Sequence, residues 1–314
     1  MSTSVTKMQK KISVVVPCYN ESEVLHEFNE RLFLVLKDLQ DYLYEVIYVD
    51  DGSSDNTYRI LKSFKDNSNC IEIISFSRNF GHQIAISAGI DRSKGDAVVV
   101  IDADLQDPPE LIKEMTLIWL NGADVVYAVR NSRKGESKFK LLTAKFFYRI
   151  LQKVADIEIP TDTGDFRLMD RKVVDVLCSM NERDRYIRGM VSWIGFVQKP
   201  IFYKRDIRFA GETKYPLKKM INFALDGLIS FSTKPLQIAT MFGIFIFILS
   251  ILGILYSLFL RLTTENWVPG WTLMFIAVLF LGGIQLIFMG LIGEYVGRIY
   301  GESKKRPLYI KKSE

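Results

Sequence analysis

The chain has 314 residues, 48% of them hydrophobic, and a formal charge of +5, values ordinary for a globular protein. That average hides two stretches, 235–260 and 266–293, that contain no Asp, Glu, Lys or Arg; each exceeds the roughly 20 apolar residues a helix needs to cross a bilayer core. A purely soluble protein is therefore not expected, nor is a polytopic channel, since the first 234 residues hold no third run of this kind.

Charge is divided as unevenly as hydropathy. Residues 1–129 carry a balance of −8 and residues 130–234 one of +10, so one half is suited to holding cations and the other to an anionic surface or substrate. Three cysteines, Cys18, Cys70 and Cys178, show no CxxC spacing and read as reduced thiols of a cytosolic domain. The first eleven residues are polar and charged, which does not fit a secretory signal, so insertion is expected to depend on the two late runs.

From Lys11 to Tyr127 short β-branched runs alternate with helical patterns. Strands are predicted at Ile12–Val16, Val46–Val49, Ile71–Ser75, Ala97–Ile101 and Asp124–Tyr127, buried in a mainly parallel sheet. Helices are predicted at Glu23–Gln40, Asn56–Phe64, Gln83–Asp91 and Pro109–Leu120, the last begun by prolines whose missing N–H groups cost nothing there. This is a doubly wound α/β pattern, in which ligands bind at the carboxyl ends of the strands. Those ends are polar: Pro17-Cys18-Tyr19-Asn20-Glu21, Asp50-Asp51-Gly52-Ser53-Ser54 and Asp102-Ala103-Asp104.

Further on, 137–154 and 215–233 show apolar residues at helical spacing with basic residues between them, the pattern of an interfacial amphipathic helix; packing on the domain's own core is the alternative. The two apolar runs follow, with Trp267 and Trp271 near the turn between them. Lys214, Lys218, Lys219 and Lys234 precede the pair, while Arg298, Lys304, Lys305, Arg306, Lys311 and Lys312 follow it. The excess of basic residues on both flanks predicts that both chain ends lie in the cytoplasm. Gly293, Gly297 and Gly301, four apart, are candidates for a close helix contact in a homo-oligomer.

Asp102 and Asp104 carry the plainest chemical signal. Two carboxylates one residue apart, after a buried strand and before a Pro-initiated helix, suit Mg²⁺ or Mn²⁺, hard cations commonly held by one or two carboxylates plus substrate phosphates. Asp50 and Asp51 could form a second metal pair, cap a turn, or accept from a nucleobase N–H; Ser53, Ser54 and Asp55 already offer helix caps, which favours base recognition. Of the two histidines, His26 reads as a helix-surface residue, and His82 as a residue near the active face with a possible donor contact. No Ser/His/Asp arrangement is credible from the order of residues.

Taken in order, Val-Val-Val-Pro-Cys-Tyr-Asn-Glu (14–21), Val-Asp-Asp-Gly-Ser-Ser-Asp (49–55), Ser-Arg-Asn-Phe-Gly (77–81), Asp-Ala-Asp-Leu-Gln-Asp-Pro-Pro-Glu (102–110) and Thr-Gly-Asp-Phe-Arg-Leu-Met-Asp (163–170) resemble family 2 glycosyltransferases of the GT-A fold. More narrowly the chain resembles the polyisoprenyl-phosphate glycosyltransferases, bactoprenol glucosyltransferases and dolichol-phosphate mannose synthases among them. The resemblance extends through Phe209-Ala210-Gly211-Glu212-Thr213-Lys214 to Gly293-Glu294-Tyr295-Val296-Gly297-Arg298.

The resemblance implies a Rossmann-like GT-A catalytic domain over 1–214, its nucleotide-sugar half 1–129 and its acceptor-side half 130–214. After it come a juxtamembrane helix (215–234), transmembrane helices over 235–260 and 266–293, and a basic tail over 294–314. It implies that Pro17, Tyr19, Glu21 and Asp51, with Asp50 and Arg78, surround the nucleotide. Asp102 and Asp104 would hold the metal on the donor diphosphate, and Gln106 would lie near the sugar. Asp165 takes the place of the catalytic carboxylate with Arg167 beside it, while Arg185, Arg188, Arg208 and Lys214 become candidates for the acceptor phosphate or the leaving diphosphate.

The implied reaction moves a sugar, glucose first, from a nucleoside diphosphate (UDP-glucose) to a polyprenyl phosphate such as undecaprenyl phosphate on the cytoplasmic face of the inner membrane, with inversion. Mannose, N-acetylglucosamine and aminoarabinose derivatives are the alternatives. The nucleophile is a phosphate monoester with a second pKa of about 6 and is already ionised near neutrality, so Asp165 is expected to position ligands more than to act as a base. A processive polysaccharide synthase is disfavoured by the lack of a QxxRW motif. A non-catalytic sugar-nucleotide scaffold is disfavoured by the intact acidic set. A small membrane flippase is a natural partner; nucleic acid is not.

Overall fold

The structure is a computed structural model that describes residues 9–130, 163–204, 234–263 and 271–312. The predicted amphipathic helices over 137–154 and 215–233, and with them Arg208 and Lys214, lie outside the described residues. The chain divides into two units, one holding the N-terminal domain together with 306–314, the other the long apolar helices.

In the first unit the strands are β1 (Lys11–Cys18), β2 (Leu43–Asp50), β3 (Ile71–Ser75), β4 (Ala97–Val100), β5 (Val125–Arg130), β6 (Thr163–Asp170) and β7 (Gln198–Tyr203). They form one sheet in the order β3-β2-β1-β4-β6-β5-β7. β1 pairs in parallel with β2 and β4, and β2 with β3. β6 is antiparallel to both its neighbours, β4 and β5, while β5 and β7 are parallel. β6 is thus the single reversed strand among these seven. The reversal matters because it brings the start of β6 to the edge where the parallel strands end.

The helices are α1 (Leu25–Asp38), α2 (Thr57–Asp66), α3 (His82–Arg92), α4 (Leu111–Leu120), α5 (Arg171–Ser179) and α6 (Ile187–Ile194). In α1 the buried residues Leu25, Phe28, Leu32 and Leu36 recur at the three-to-four spacing of one helix face. They join Ile12, Val14 and Val16 of β1, Leu61 of α2, and Ile112, Met115 and Trp119 of α4 in the larger core. On the other side Ile47, Val49 and Ile74 pack with Ala85 and Ala88 of α3. Alternate strand residues thus feed two helix layers, as burial on both faces of a parallel sheet requires. α3 sits unusually close: a Cβ on Gly89 would lie 2.2 Å from Val15 Cγ1.

The second unit contains α7 (Lys234–Thr263) and α8 (Trp271–Ser303). Among the described residues one stretch, Phe280–Ser303, is long and apolar enough to cross a membrane, and none of its apolar window is buried; Ala239–Gly253 is apolar but shorter. Beyond α8 the chain rejoins the first unit, where Lys311 forms an antiparallel bridge with Phe76 just past the end of β3. Cys18, Cys70 and Cys178 are free thiols, with Cys18 buried.

Candidate active site

β1, β2 and β4 all end at one edge of the sheet, and the turns that leave them are tied to one another. Asn20, in the left-handed region at φ 54°, receives Ser54 N at its Oδ1 (2.8 Å), while its own N–H donates to Ser53 Oγ (3.0 Å). Glu21 N donates to Thr57 Oγ1 at 2.9 Å. Pro17 is buried opposite Val49, whereas Tyr19 is 40% exposed.

Asp50 and Asp51 are both buried. Asp50 accepts from Ser53 N (3.0 Å) and Ser75 Oγ (2.9 Å). Asp51 reaches further along the chain: Oδ1 accepts from Phe80 N at 2.7 Å and Oδ2 from Gly81 N at 3.0 Å. Burial raises the pKa of Asp51, and the two backbone N–H groups oppose that rise. Gly52, at φ +67°, lies against the Arg78 backbone, where a Cβ would stand 2.3 Å from Arg78 C. Arg78 itself is exposed, its guanidinium 4.1 Å from the centre of the Phe80 ring.

In the Asp102–Gln106 turn, Ala103 and Leu105 are buried while Asp102, Asp104 and Gln106 are partly exposed on the other side. Leu105 takes φ 59°, and Gln106 N donates to Asp104 Oδ1 at 3.1 Å. The β4–β6 register pairs Val100 with Arg167, and continuing it two residues sets Asp102 opposite Asp165.

Asp165 is buried and receives four contacts. Arg188 of α6 holds it with two nitrogens, Nε to Oδ1 at 2.8 Å and Nη2 to Oδ2 at 3.0 Å. His82 Nε2 lies 3.1 Å from Oδ2, and Gln83 Nε2 donates to Oδ2 at 3.3 Å. Burial alone would raise the pKa of Asp165, but the Arg188 charge and His82 hold it well below the usual carboxylate range. It is thus a fixed anion and a weak base.

Asp102 is in the opposite condition. Its side chain is 31% exposed, yet Oδ1 is shut off from solvent and has no hydrogen-bond partner; His82 Nε2 lies 3.5 Å from it. Burial, with the charges of Asp165, Asp107 and Asp104, raises its pKa to about 6 against the pull of His82. Burial works against a charge on His82, but Asp102 and Asp165 outweigh it and raise its pKa to about 9. A carboxylate oxygen shut off from solvent with no hydrogen-bond partner, in the field of three further carboxylate charges, is a place where an added cation lowers the energy. No group of three His, Cys, Asp or Glu residues able to hold a metal occurs among the described residues. A cation here therefore needs oxygens from a ligand such as a diphosphate to complete its shell.

Each described arginine of the expected set has a protein partner here. Arg167 is buried and donates to the Asp165 and Gly164 carbonyls (3.3 and 3.2 Å), not to the Asp165 carboxylate; burial lowers its pKa to about 10. Arg185 donates to the carbonyls of Met180 (2.7 Å) and Glu182 (3.2 Å). Arg188 holds Asp165 and also donates to Thr163 O at 3.0 Å. Gln83 was not among the predicted site residues; it ties Asp165 to α6, since its Oε1 accepts from Ile187 N at 2.9 Å. Its position directly after His82, at the start of a helix on the ligand-binding edge, was the available signal.

Residues 13–178 match the family described as glycosyl transferase family 2, and residues 234–299 match the GtrB C-terminal hairpin. The chain is 52% identical over 301 residues to the uncharacterized glycosyltransferase YkcC of Bacillus subtilis, covering 95% of this chain and 92% of that one. It is 40% identical over 304 residues to the bactoprenol glucosyl transferase of Shigella phage SfV, covering 97% and 99%. It is also 40% identical over 303 residues to the prophage bactoprenol glucosyl transferase homolog of Escherichia coli K12, covering 96% and 98%. With the GT-A arrangement of its mixed sheet and a similarity that runs the length of these relatives, the chain belongs to glycosyl transferase family 2 and is a glycosyltransferase.

Proposed function

We propose that the protein transfers glucose from UDP-glucose to a polyprenyl phosphate, undecaprenyl phosphate, with inversion at the anomeric carbon and release of UDP. The observation that carries this reading is the 40% identity, over nearly the full chain and including the C-terminal hairpin, to relatives named bactoprenol glucosyl transferase. The runs 235–260 and 266–293 act as two membrane spans, with the catalytic domain and both termini on the cytoplasmic side of the inner membrane. The basic flanks of the spans support that orientation.

In this reading Tyr19, Glu21 and Asp51 face the nucleoside, and Gln106 lies beside the sugar. Asp102 and Asp104 hold Mg²⁺ or Mn²⁺; the unpartnered Oδ1 of Asp102 supports that assignment. When bound, the metal neutralises charge building on the leaving diphosphate. Asp165 fixes the sugar and the surrounding cations in place, and its four contacts leave it little capacity to take a proton. The acceptor phosphate, with a second pKa of about 6, attacks without a general base. Arg188, whose side chain remains a quarter exposed, has a second duty at the anionic acceptor.

The reading is tested with full-length protein in detergent, undecaprenyl phosphate, Mg²⁺ or Mn²⁺ and a panel of radiolabelled sugar nucleotides, scoring label in the organic phase. Transfer from UDP-glucose, lost with EDTA and in Asp104→Ala, is the expected result. Transfer from another donor would replace the sugar and keep the reaction. Absence of transfer from every donor by folded, nucleotide-binding protein would overturn the reaction itself.

A further inference from the structure

Residues 306–312, which follow the apolar helix α8 in the chain, are held on the catalytic domain by a continuous set of contacts. Arg183 Nη1 donates to Arg306 O at 3.1 Å. Ser77 N donates to Ile310 O at 2.9 Å and Lys312 N to Ser75 O at 2.8 Å, so this segment supplies backbone partners just past the end of edge strand β3. The Tyr309 ring stacks on Phe76, with centroids 4.7 Å apart and planes 23° from parallel. Phe76 is fully buried and meets Phe80 edge to face at 5.7 Å.

Phe80 is where this chain of rings reaches the candidate active site. Its backbone N–H, with that of Gly81, is bound by Asp51, and the next two residues, His82 and Gln83, contact Asp165. The loop 76–81 is thus held from two sides, by Asp51 within the site and by Tyr309 behind it. For residues 306–312 themselves, sequence patterning predicts only a basic tail that helps set the membrane orientation.

The geometry points to Tyr309 as a positioning residue for the transfer: its stack on Phe76 keeps the 76–81 loop seated, and so keeps His82 and Gln83 against Asp165. The effect on transfer rests on the reaction proposed above; the effect on the loop does not. A single aromatic pair is worth a roughly two- to tenfold change in an equilibrium or rate, so a graded defect is expected and not an inactive enzyme.

The test compares full-length wild type, Tyr309→Ala and Tyr309→Phe by hydrogen exchange and by the transfer assay. In Tyr309→Ala the amides of Phe80 and Gly81 exchange faster by roughly two- to tenfold while those of β1 keep wild-type protection; kcat falls by a similar factor with the KM for polyprenyl phosphate unchanged. Tyr309→Phe keeps the ring and restores both. Unchanged exchange at residues 80 and 81, or a rise shared by the whole sheet, overturns the inference. So does wild-type kcat alongside faster local exchange, which would confine Tyr309 to a structural part. If the wild type transfers no sugar, the proposed reaction fails separately and the exchange comparison still decides whether Tyr309 holds the loop.

Discussion

Arg188 and Asp165 form a two-nitrogen clamp, with Nε to Oδ1 at 2.8 Å and Nη2 to Oδ2 at 3.0 Å. It joins helix α6 to the reversed strand β6. A planar guanidinium matches a carboxylate in this way, and an ammonium cannot. Arg188→Ala leaves Asp165 buried without its main counter-charge, a loss of about 3 kcal/mol in stability, at the lower end for broken buried pairs because Arg188 is a quarter exposed. Arg188→Lys restores charge without the fork, and is expected to recover most of the thermal stability but little of the transfer rate. Thermal unfolding in detergent beside kcat checks this; equal recovery of both would remove the geometric role of the fork.

Asp165 is held ionised well below the usual carboxylate range, so its protonation is not expected to shape activity between about pH 6 and 9. Asp165→Asn should lose roughly 100-fold in kcat, the scale of one charged group lost from a preorganised site, and the deficit should be the same across that range. A deficit that shrinks as pH rises through the acceptor's pKa would mean that acceptor ionisation limits the variant.

Glu45 offers a pH effect far from the chemistry. It accepts from Ser13 Oγ (2.6 Å) and Lys94 N (2.8 Å) and pairs with Lys11. Burial raises its pKa, but the Lys11, Ser13 and Lys94 contacts together lower it below the ordinary value. A depressed carboxylate contributes stability that is present above its unfolded pKa and lost as pH falls through the folded one. The contribution, about 1–2 kcal/mol for hydrogen bonds to a charged group, should therefore begin to fall once pH drops below the ordinary Glu value of about 4.3 and be gone only below the lower folded pKa. The gap between the melting temperatures of wild type and Glu45→Gln should be largest at pH 7 and narrow steadily as pH falls from 5 to 3; a constant gap would contradict the assignment.

Gly52→Ala combines a left-handed φ of +67° with a Cβ 2.3 Å from Arg78 C. Backbone cannot move aside as a flexible side chain can, so the loop carrying Asp51 must shift away from Phe80. A loss of about 2 kcal/mol or more is expected, with weakened nucleotide binding by titration calorimetry. Unchanged affinity would show that the Asp51 loop tolerates the displacement.

Much of this arrangement is legible in the sequence, for definite physical reasons. β1 to β5 are buried β-branched runs ended by turn residues, so their pattern and their chemistry coincide. β6, Thr-Gly-Asp-Phe-Arg-Leu-Met-Asp, reads as a motif and not as a strand, because Asp165 and Arg167 break the apolar run that a central strand normally shows; partners from α3 and α6 for Asp165, and backbone carbonyls for Arg167, make their burial tolerable. β7 contains Pro200, which fits only an edge position. The carboxylates of the site are visible singly, but the Arg188 clamp and the Gln83 bridge depend on contacts across 23 and 82 residues. Tyr309 on Phe76 spans more than 200 residues, with no local pattern to announce it.

The most direct test of the central claim measures UDP released from UDP-glucose against glucose recovered in lipid, with and without undecaprenyl phosphate, for wild type and Asp104→Ala. The account predicts equal amounts of UDP and lipid-linked glucose, appearing only with acceptor and divalent metal and lost in the variant. UDP-glucose bound tightly by wild-type protein but never cleaved, whatever acceptor and metal are present, would contradict it.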